Sequence, residues 1–357
     1  MKNFKTFKFL FIAVLLNSSL LISCASVQYN INEQPAESVP YPDASFAVIT
    51  DLHVWDPALG SEEARFLAVL DGTSKQFLDS IPFLDNAIDK IIETGVSFVL
   101  VCGDLTKDGE LHNHMILAEK LKRLTDAGID VLVVPGNHDI NSGKAVRYTE
   151  ENTERVPNVS DIEFAGIYSG FGFNKALERD KGSLSYVTEP VEGLWILSID
   201  SCRYREQSST RPQITAGGLS QETVNWITSI LTKAQNQNKA VIVMMHHRVV
   251  PYAGVSENNA ANFLIRDYES FGNLLASWNV RVVFTGHSHA QTINRVDFRG
   301  RYLYDIQTGA LVSSPAVVRF IEISDNVMSI SSDPADNAFS AGESFMTNSN
   351  NFFRIAF

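Results

Sequence analysis

Val131-Leu132-Val133-Val134-Pro135-Gly136-Asn137-His138-Asp139 is the stretch on which the reading of this chain turns. Its apolar, mostly β-branched start reads as a short buried strand, which Pro135-Gly136 closes. Immediately beyond stand a carboxamide, an imidazole and a carboxylate, groups that bind divalent metals through oxygen and nitrogen. The arrangement recurs along the chain. Asp51-Leu52-His53 follows Phe46 to Ile49, Gly103-Asp104 follows Ser97 to Val101, His246-His247 follows Ala240 to Met245, and Gly286-His287-Ser288-His289 follows Val280 to Phe284. Of the eight histidines six lie inside these blocks, and His112 and His114 lie just after the second. A structural zinc site would be rich in cysteine, whereas this chain has no Cys-x-x-Cys pair. The pattern predicts a binuclear metal site, its ligands delivered by the C-terminal ends of several strands.

Each block has its own chemistry. Asp51 and His53 are two apart at a strand end, a spacing that puts both side chains on one side of the strand. Gly103 lets backbone approach a crowded centre, and the two oxygens of Asp104 can bridge two cations. His138 followed by Asp139 suggests an imidazole held by a carboxylate. Two divalent ions, the Asp51 and Asp104 carboxylates and a bridging hydroxide leave about one net positive charge, suited to a phosphodiester monoanion. Mixed His, Asp and Asn donors suit Mn, Fe, Zn or a similar ion better than Mg.

Between the blocks, strand and helix alternate. Phe83, Leu84, Ala87, Ile88, Ile91 and Ile92 recur at helical spacing up to Gly95, and Met115, Ala118, Leu121, Lys122 and Leu124 form a second amphipathic helix stopped by Gly128. Three strand–helix units predict a parallel sheet with its ligands at the C-terminal edge. Residues 140–182 break the rhythm and read as an insertion, or lid, packed over the site. Further helices are expected near 221–234 and 263–278, and the chain turns all-β from Ile293 to Ile330. The main domain is thus expected over 45–333, with 334–357 a Ser-, Asn- and Ala-rich tail.

The composition, 45% hydrophobic and 20% charged, is that of a globular protein, and the net charge of −12 argues against a nucleic-acid polymer as partner. Lys2, Lys5 and Lys8 precede an apolar stretch from Phe9 to Ile22 that ends in Leu21-Ile22-Ser23-Cys24. This is the pattern of a bacterial lipoprotein signal, cleaved before Cys24, which then carries lipid; an uncleaved membrane anchor is the alternative. Residues 1–23 are the expected signal, and residues 24–44, with Pro35, Pro40 and Pro42, the tether. Either reading places the folded body in the cell envelope, outside the cytoplasm. Cys102 and Cys202 both follow strand-like runs, where a free buried cysteine is common, although an exported protein can also pair them.

With these blocks in order, the chain resembles the calcineurin-like metallophosphoesterase superfamily over roughly residues 45–325. The resemblance implies a four-layer α/β/β/α sandwich of two mixed sheets. It implies that Asp51, His53, Asp104 and His289 bind one metal, that Asp104, Asn137, His246 and His287 bind the other, and that His138, supported by Asp139, faces the substrate phosphoryl group. A closer resemblance is to bacterial lipoproteins related to class III 3′,5′-cyclic-nucleotide phosphodiesterases. It is carried by Gly103-Asp104-Leu105-Thr106-Lys107-Asp108-Gly109-Glu110 with His114, by Arg179-Asp180 before Ser183-Leu184-Ser185-Tyr186, and by Met244-Met245-His246-His247. The expected activity is metal-dependent hydrolysis of a small phosphodiester, a 3′,5′-cyclic nucleotide being the specific candidate. The alternatives are a phosphomonoesterase or nucleotidase acting on exported nucleotides and a non-catalytic binding lipoprotein. Arg179 and His114 are the candidate substrate-binding residues and Arg203 is a weaker one, while His247 either supports a metal ligand from behind or is a packed neighbour of His246.

Overall fold

Strand β1 (Ala44–Ile49) runs parallel to β2 (Phe98–Cys102), and β2 runs parallel to β3 (Asp130–Val134), as the three apolar runs predict. The computed structural model describes residues 26–33, 36–207, 213–251, 261–298, 300–336 and 352–357. The expected signal segment with Cys24 therefore lies outside the described residues. Among those described, no helix is long and apolar enough to cross a membrane.

Helices α1 (Ala64–Asp71), α2 (Ser80–Thr94) and α3 (Leu111–Asp126) supply the first crossovers. In α2 the buried residues Leu84, Ala87, Ile88 and Ile91 form one stripe, and Gly95 ends the helix at φ 66°, a left-handed turn that glycine adopts without strain. In α3 the buried stripe is His114, Leu117, Leu121 and Leu124, while Met115 is 54% exposed. The sequence reading had placed Met115 and Ala118 on that face; Ala118 does pack against the core, whereas Met115 points outward and the His114 imidazole is buried in the stripe.

The middle of the chain holds the hairpin β4 (Val146–Tyr148) and β5 (Thr153–Arg155), helix α4 (Asp161–Ile167) and the short β6 (Glu178–Arg179). Then come β7 (Tyr186–Val191), β8 (Leu194–Ile199), α5 (Gln221–Asn236), β9 (Ala240–Met245), α6 (Tyr268–Ser277) and β10 (Val282–Thr285). The all-β end comprises β11 (Thr292–Phe298), β12 (Arg301–Gln307), β13 (Val317–Ser324), β14 (Val327–Pro334) and β15 (Phe353–Ala356). Residues 334–357, expected to be a tail, thus contribute an edge strand, since β15 pairs antiparallel with β14.

Among the described residues one sheet has the order β15-β14-β13-β1-β2-β3 and the other β11-β12-β10-β9-β8-β7-β6. Both are mixed, and they face each other. Alternation along the strands separates two cores. Ile196, Ile242, Met244, Phe284 and Ile306 point between the sheets, while Leu197, Val243, Met245 and Val283 point outward under α5 and α6. With α2 and α3 covering the first sheet, the result is the four-layer α/β/β/α sandwich.

The insertion does less lid work than its position suggested. Phe164, Tyr168, Phe171 and Phe173 belong to the main core, where Phe173 packs on Tyr186 with ring centroids 4.8 Å apart. Only the hairpin end reaches toward the metal-binding edge, as Tyr148 packs on Trp55 and Phe66.

Phe46 ties the two sheets together. Its ring stacks on Phe98 at 4.6 Å and meets Phe284 of the opposite sheet edge-on at 5.5 Å. Phe46→Ala is expected to cost about 3–5 kcal/mol, the range for removing a buried aromatic ring. Denaturant unfolding of the two proteins checks this, and a loss below about 1 kcal/mol would mean that the inter-sheet core does not depend on this ring.

Candidate metal centre

The turns after β1, β2, β3, β9 and β10 meet at one edge of the sandwich. The ligand atoms of Asp51, His53, Asp104 and His289 lie within 4.8 Å of one another, and so do those of Asp104, His246 and His287. Asn137 completes the second group, its Oδ1 3.2 Å from His246 Nε2. All seven expected metal ligands are therefore brought together, and Asp104 belongs to both groups.

Backbone strain makes this convergence possible. Asp51, His53, Asp104, His287 and His289 all have positive φ, between 40° and 77°, a region that L side chains rarely adopt and that clusters at functional sites. Asp51 and His53 share a side for this reason, and not by strand alternation, because β1 ends at Ile49. Close approach sets the glycines: a Cβ on Gly136 would lie 2.1 Å from the Asp104 carboxylate, and one on Gly286 would lie 2.0 Å from Thr50 Oγ1.

The imidazoles are oriented by their outer nitrogens. His246 donates from Nδ1 to the Cys102 carbonyl at 2.8 Å, and His287 donates from Nε2 to the Asn262 carbonyl at 2.9 Å. Their other nitrogens then face each other at 3.1 Å. His53 Nε2 and His289 Nε2 likewise face each other at 3.3 Å. Lone pairs at such distances call for a cation between them, and with two carboxylates and a carboxamide the donors fit two divalent ions. The electrostatics agree. Burial favours neutral Asp51 and Asp104, but the surrounding imidazoles outweigh it and hold both carboxyls below their ordinary range, Asp104 well below. Burial also works against a charge on His246, yet with no ion beside it the Asp104 carboxylate lifts that imidazole to about 9, so a proton competes with a metal for its Nε2.

His138 stands beside this cluster, a fifth of its side chain accessible, with Nε2 3.9 Å from Asp104 Oδ2. Its Nδ1–H donates to the Lys107 carbonyl at 2.8 Å and to Asp108 Oδ1 at 2.9 Å. The carboxylate that holds His138 is therefore Asp108, not the adjacent Asp139. Burial favours the neutral Asp108 acid, but the His138 ring and the Lys107 ammonium outweigh it and bring the carboxyl down to about 2. Asp139 does a different job. Its oxygens accept from the backbone N–H groups of Leu105, Thr106 and Gly136, which clamps the Asp104 turn to the Asn137 turn. Burial, together with the Asp104 charge, pushes its carboxyl up to about 6.

The remaining histidines stand outside the cluster, His114 and His247 buried beside it and His112 at the surface. His114 is fully buried; it donates from Nε2 to the Asp139 carbonyl and accepts from the Tyr168 hydroxyl, so it does not face substrate. Burial takes its pKa down to about 4. His247 lies behind His246, bound to Ser201 and Thr215, and His112 pairs with Asp56 at 2.7 Å. Arg179 lies exposed on β6 with its guanidinium over the Phe173 ring, and Arg203 pairs with Glu206. Cys102 and Cys202 are both free thiols. Sequence reasoning left Asp108 without a role, although it stands in the same block as Asp104; its distance from His138 in sequence hid the contact.

Two outcomes follow from this geometry. Asp104→Ala should lose both metal equivalents while Asn137→Ala loses at most one, which metal analysis of the purified proteins reads directly. Asp108→Asn should keep both equivalents and lower turnover about 10–100-fold, the usual cost of losing a group that orients another; unchanged turnover would leave Asp108 a purely structural residue.

Relatives place this centre. The family model of calcineurin-like phosphoesterases matches residues 44–291. No curated protein matches the chain in sequence. Solved structures that it resembles include a dimetal phosphatase from Danio rerio, at TM-score 0.57 and 15% identity, covering 85% of this chain and 98% of that one. Another is a purple acid phosphatase from yellow lupin (Lupinus luteus) seeds, at TM-score 0.51 and 13% identity, covering 86% of this chain and 53% of that one. The chain thus spans about half the length of the lupin protein, and at such identities both likenesses speak for the fold. With most of its length under the family match and a full set of inward-facing metal donors, the chain belongs to the calcineurin-like phosphoesterase family.

Proposed function

We propose that this phosphoesterase cleaves a small phosphodiester, with a 3′,5′-cyclic nucleotide as the specific candidate. The observation that carries the reading is the charge of the ligand set. Asp51 and Asp104 are the carboxylates of the two clusters, and the other ligands are imidazoles and a carboxamide. Two bound divalent ions supply positive charge to the phosphoryl oxygens and an activated water. That leaves a modest positive excess, suited to a monoanionic diester. His138 is set for the leaving group. Asp108 and the Lys107 carbonyl hold its Nδ1–H, which turns Nε2 toward the cluster, where it can serve the departing alkoxide oxygen as a proton donor. The buried His53 ring meets the His138 ring edge-on at 4.9 Å and packs against that side of it.

A second reading, a phosphomonoesterase, draws support from one feature, the additional ammonium of Lys75 near the centre, which favours a dianion. We further propose, from the pattern ending at Cys24, that the domain is held by lipid in the cell envelope, outside the cytoplasm.

The test is a substrate panel on the Mn²⁺-loaded mature protein: cyclic nucleotides, bis-p-nitrophenyl phosphate and p-nitrophenyl phosphate. Diesters are expected to turn over faster than the monoester, and His138→Ala should lose about 10²–10⁴-fold in kcat with its metals in place. Monoesterase activity without diesterase activity would move the assignment to the phosphatase. No turnover of any ester would leave a binding protein.

A further inference from the structure

Lys75 lies outside every metal-binding block, on the segment between α1 and α2, yet the fold carries it to the centre. Gln76 N–H donates to the Val312 carbonyl at 2.8 Å, and Val312 N–H donates to the Asp51 carbonyl at 3.2 Å, so the backbone beside Lys75 is pinned to that of a metal ligand. Two residues on, buried Phe77 meets the His53 ring edge-on at 6.3 Å. The Lys75 ammonium sits 5.9 Å from the centre of the Phe77 ring. Lys107 approaches the same ring at 5.5 Å, but its ammonium is taken by Asp108 at 2.7 Å.

Lys75 has no such partner. Among the described residues no carboxylate lies within ion-pair distance of its Nζ. The acidic groups that face it are Asp104, Asp51 and Asp108, and the cationic group is Lys107. Its charge is in turn felt by His53. A half-buried ammonium without a counter-ion costs free energy, and burial holds its pKa below the ordinary lysine value. Two divalent ions between Asp51 and Asp104 would remove the attraction that these carboxylates exert on it. An anion lying between the ions and the ammonium satisfies both.

We propose that Lys75 binds the substrate's phosphoryl group, its ammonium taking a non-bridging oxygen on the His53 side of the metal pair. This rests on the family reading of a phosphoester hydrolase and holds for a diester or a monoester. The ammonium is a point donor on a flexible stem that Phe77 supports, so it can reach a phosphoryl oxygen of the bound ester.

The experiment titrates Mn²⁺-loaded protein with inorganic phosphate by calorimetry, using wild type, Lys75→Met, Lys75→Gln and Lys75→Arg. Both neutral variants should bind phosphate about tenfold or more weakly, the scale of one charge-assisted hydrogen bond. Lys75→Arg should recover most of the affinity, and metal analysis should find two equivalents in all four proteins. With whichever ester the wild type cleaves, KM should rise more than kcat falls. Equal phosphate affinity in wild type and either folded neutral variant overturns the proposal, as does a wild type that binds no phosphate. Because phosphate binding is read without turnover, a protein that cleaves no diester still tests Lys75, and the two claims fail separately.

Discussion

The Asp104 carboxylate is the point on which both sheets close. Its Oδ2 lies 3.5 Å from His53 Nε2 in the first sheet's turn and 3.4 Å from His246 Nε2 in the second sheet's turn. Its Oδ1 accepts the His138 backbone N–H at 3.0 Å. One side chain therefore touches three of the five motif turns. A one-residue slip of a strand within either sheet would turn its side chains to the other face and break this meeting. The inter-sheet core around Phe46, Phe98 and Phe284 holds the two edges in the register that the carboxylate needs.

Strain is the cost of that meeting. Five ligands adopt positive φ, each at a price of about 1–3 kcal/mol, and only a heavily determined surrounding can hold them there. Hydrogen bonds supply that determination. Asp51 accepts from the His287 backbone N–H through both oxygens, and Thr50 and the Gly286 backbone crowd the same spot. The clamp of Asp139 on Leu105, Thr106 and Gly136 does the equivalent for the other half.

Neighbouring carboxylates divide the work. Asp104 takes metal, Asp108 orients His138, and Asp139 ties backbone to backbone. Lys107 belongs to the same arrangement, because its ammonium lies among Trp55, Phe77 and Tyr148 and ends on Asp108. The insertion hairpin thus acts on His138 through Tyr148, Lys107 and Asp108, while the rest of the insertion fills the core.

How much of this was legible before folding depends on how far each contact reaches along the chain. Strand cores such as Ala240–Met245 and Leu194–Ile199 declare themselves by apolar runs, and donors placed straight after them announce the metal ligands; both signals are local. The same local signals gave only a parallel sheet, and the four-layer architecture came with the resemblance to the family that the donor blocks carry. Contacts between distant segments were not. Asp108 reaches His138 across 30 residues, and the sequence offered Asp139 as a nearer but wrong partner. His114 looked available for substrate until Tyr168 and the Asp139 carbonyl enclosed it. The four residues Phe353–Ala356 are too short to stand as a strand until β14 offers them an edge. Lys75 carries no motif at all. The sequence by itself determined which atoms can hold two metals, because ligand chemistry is written residue by residue. Only the tertiary structure decided which charges orient, brace or face them, because Coulomb and hydrogen-bond energies depend on distances that exist only once the two sheets have met.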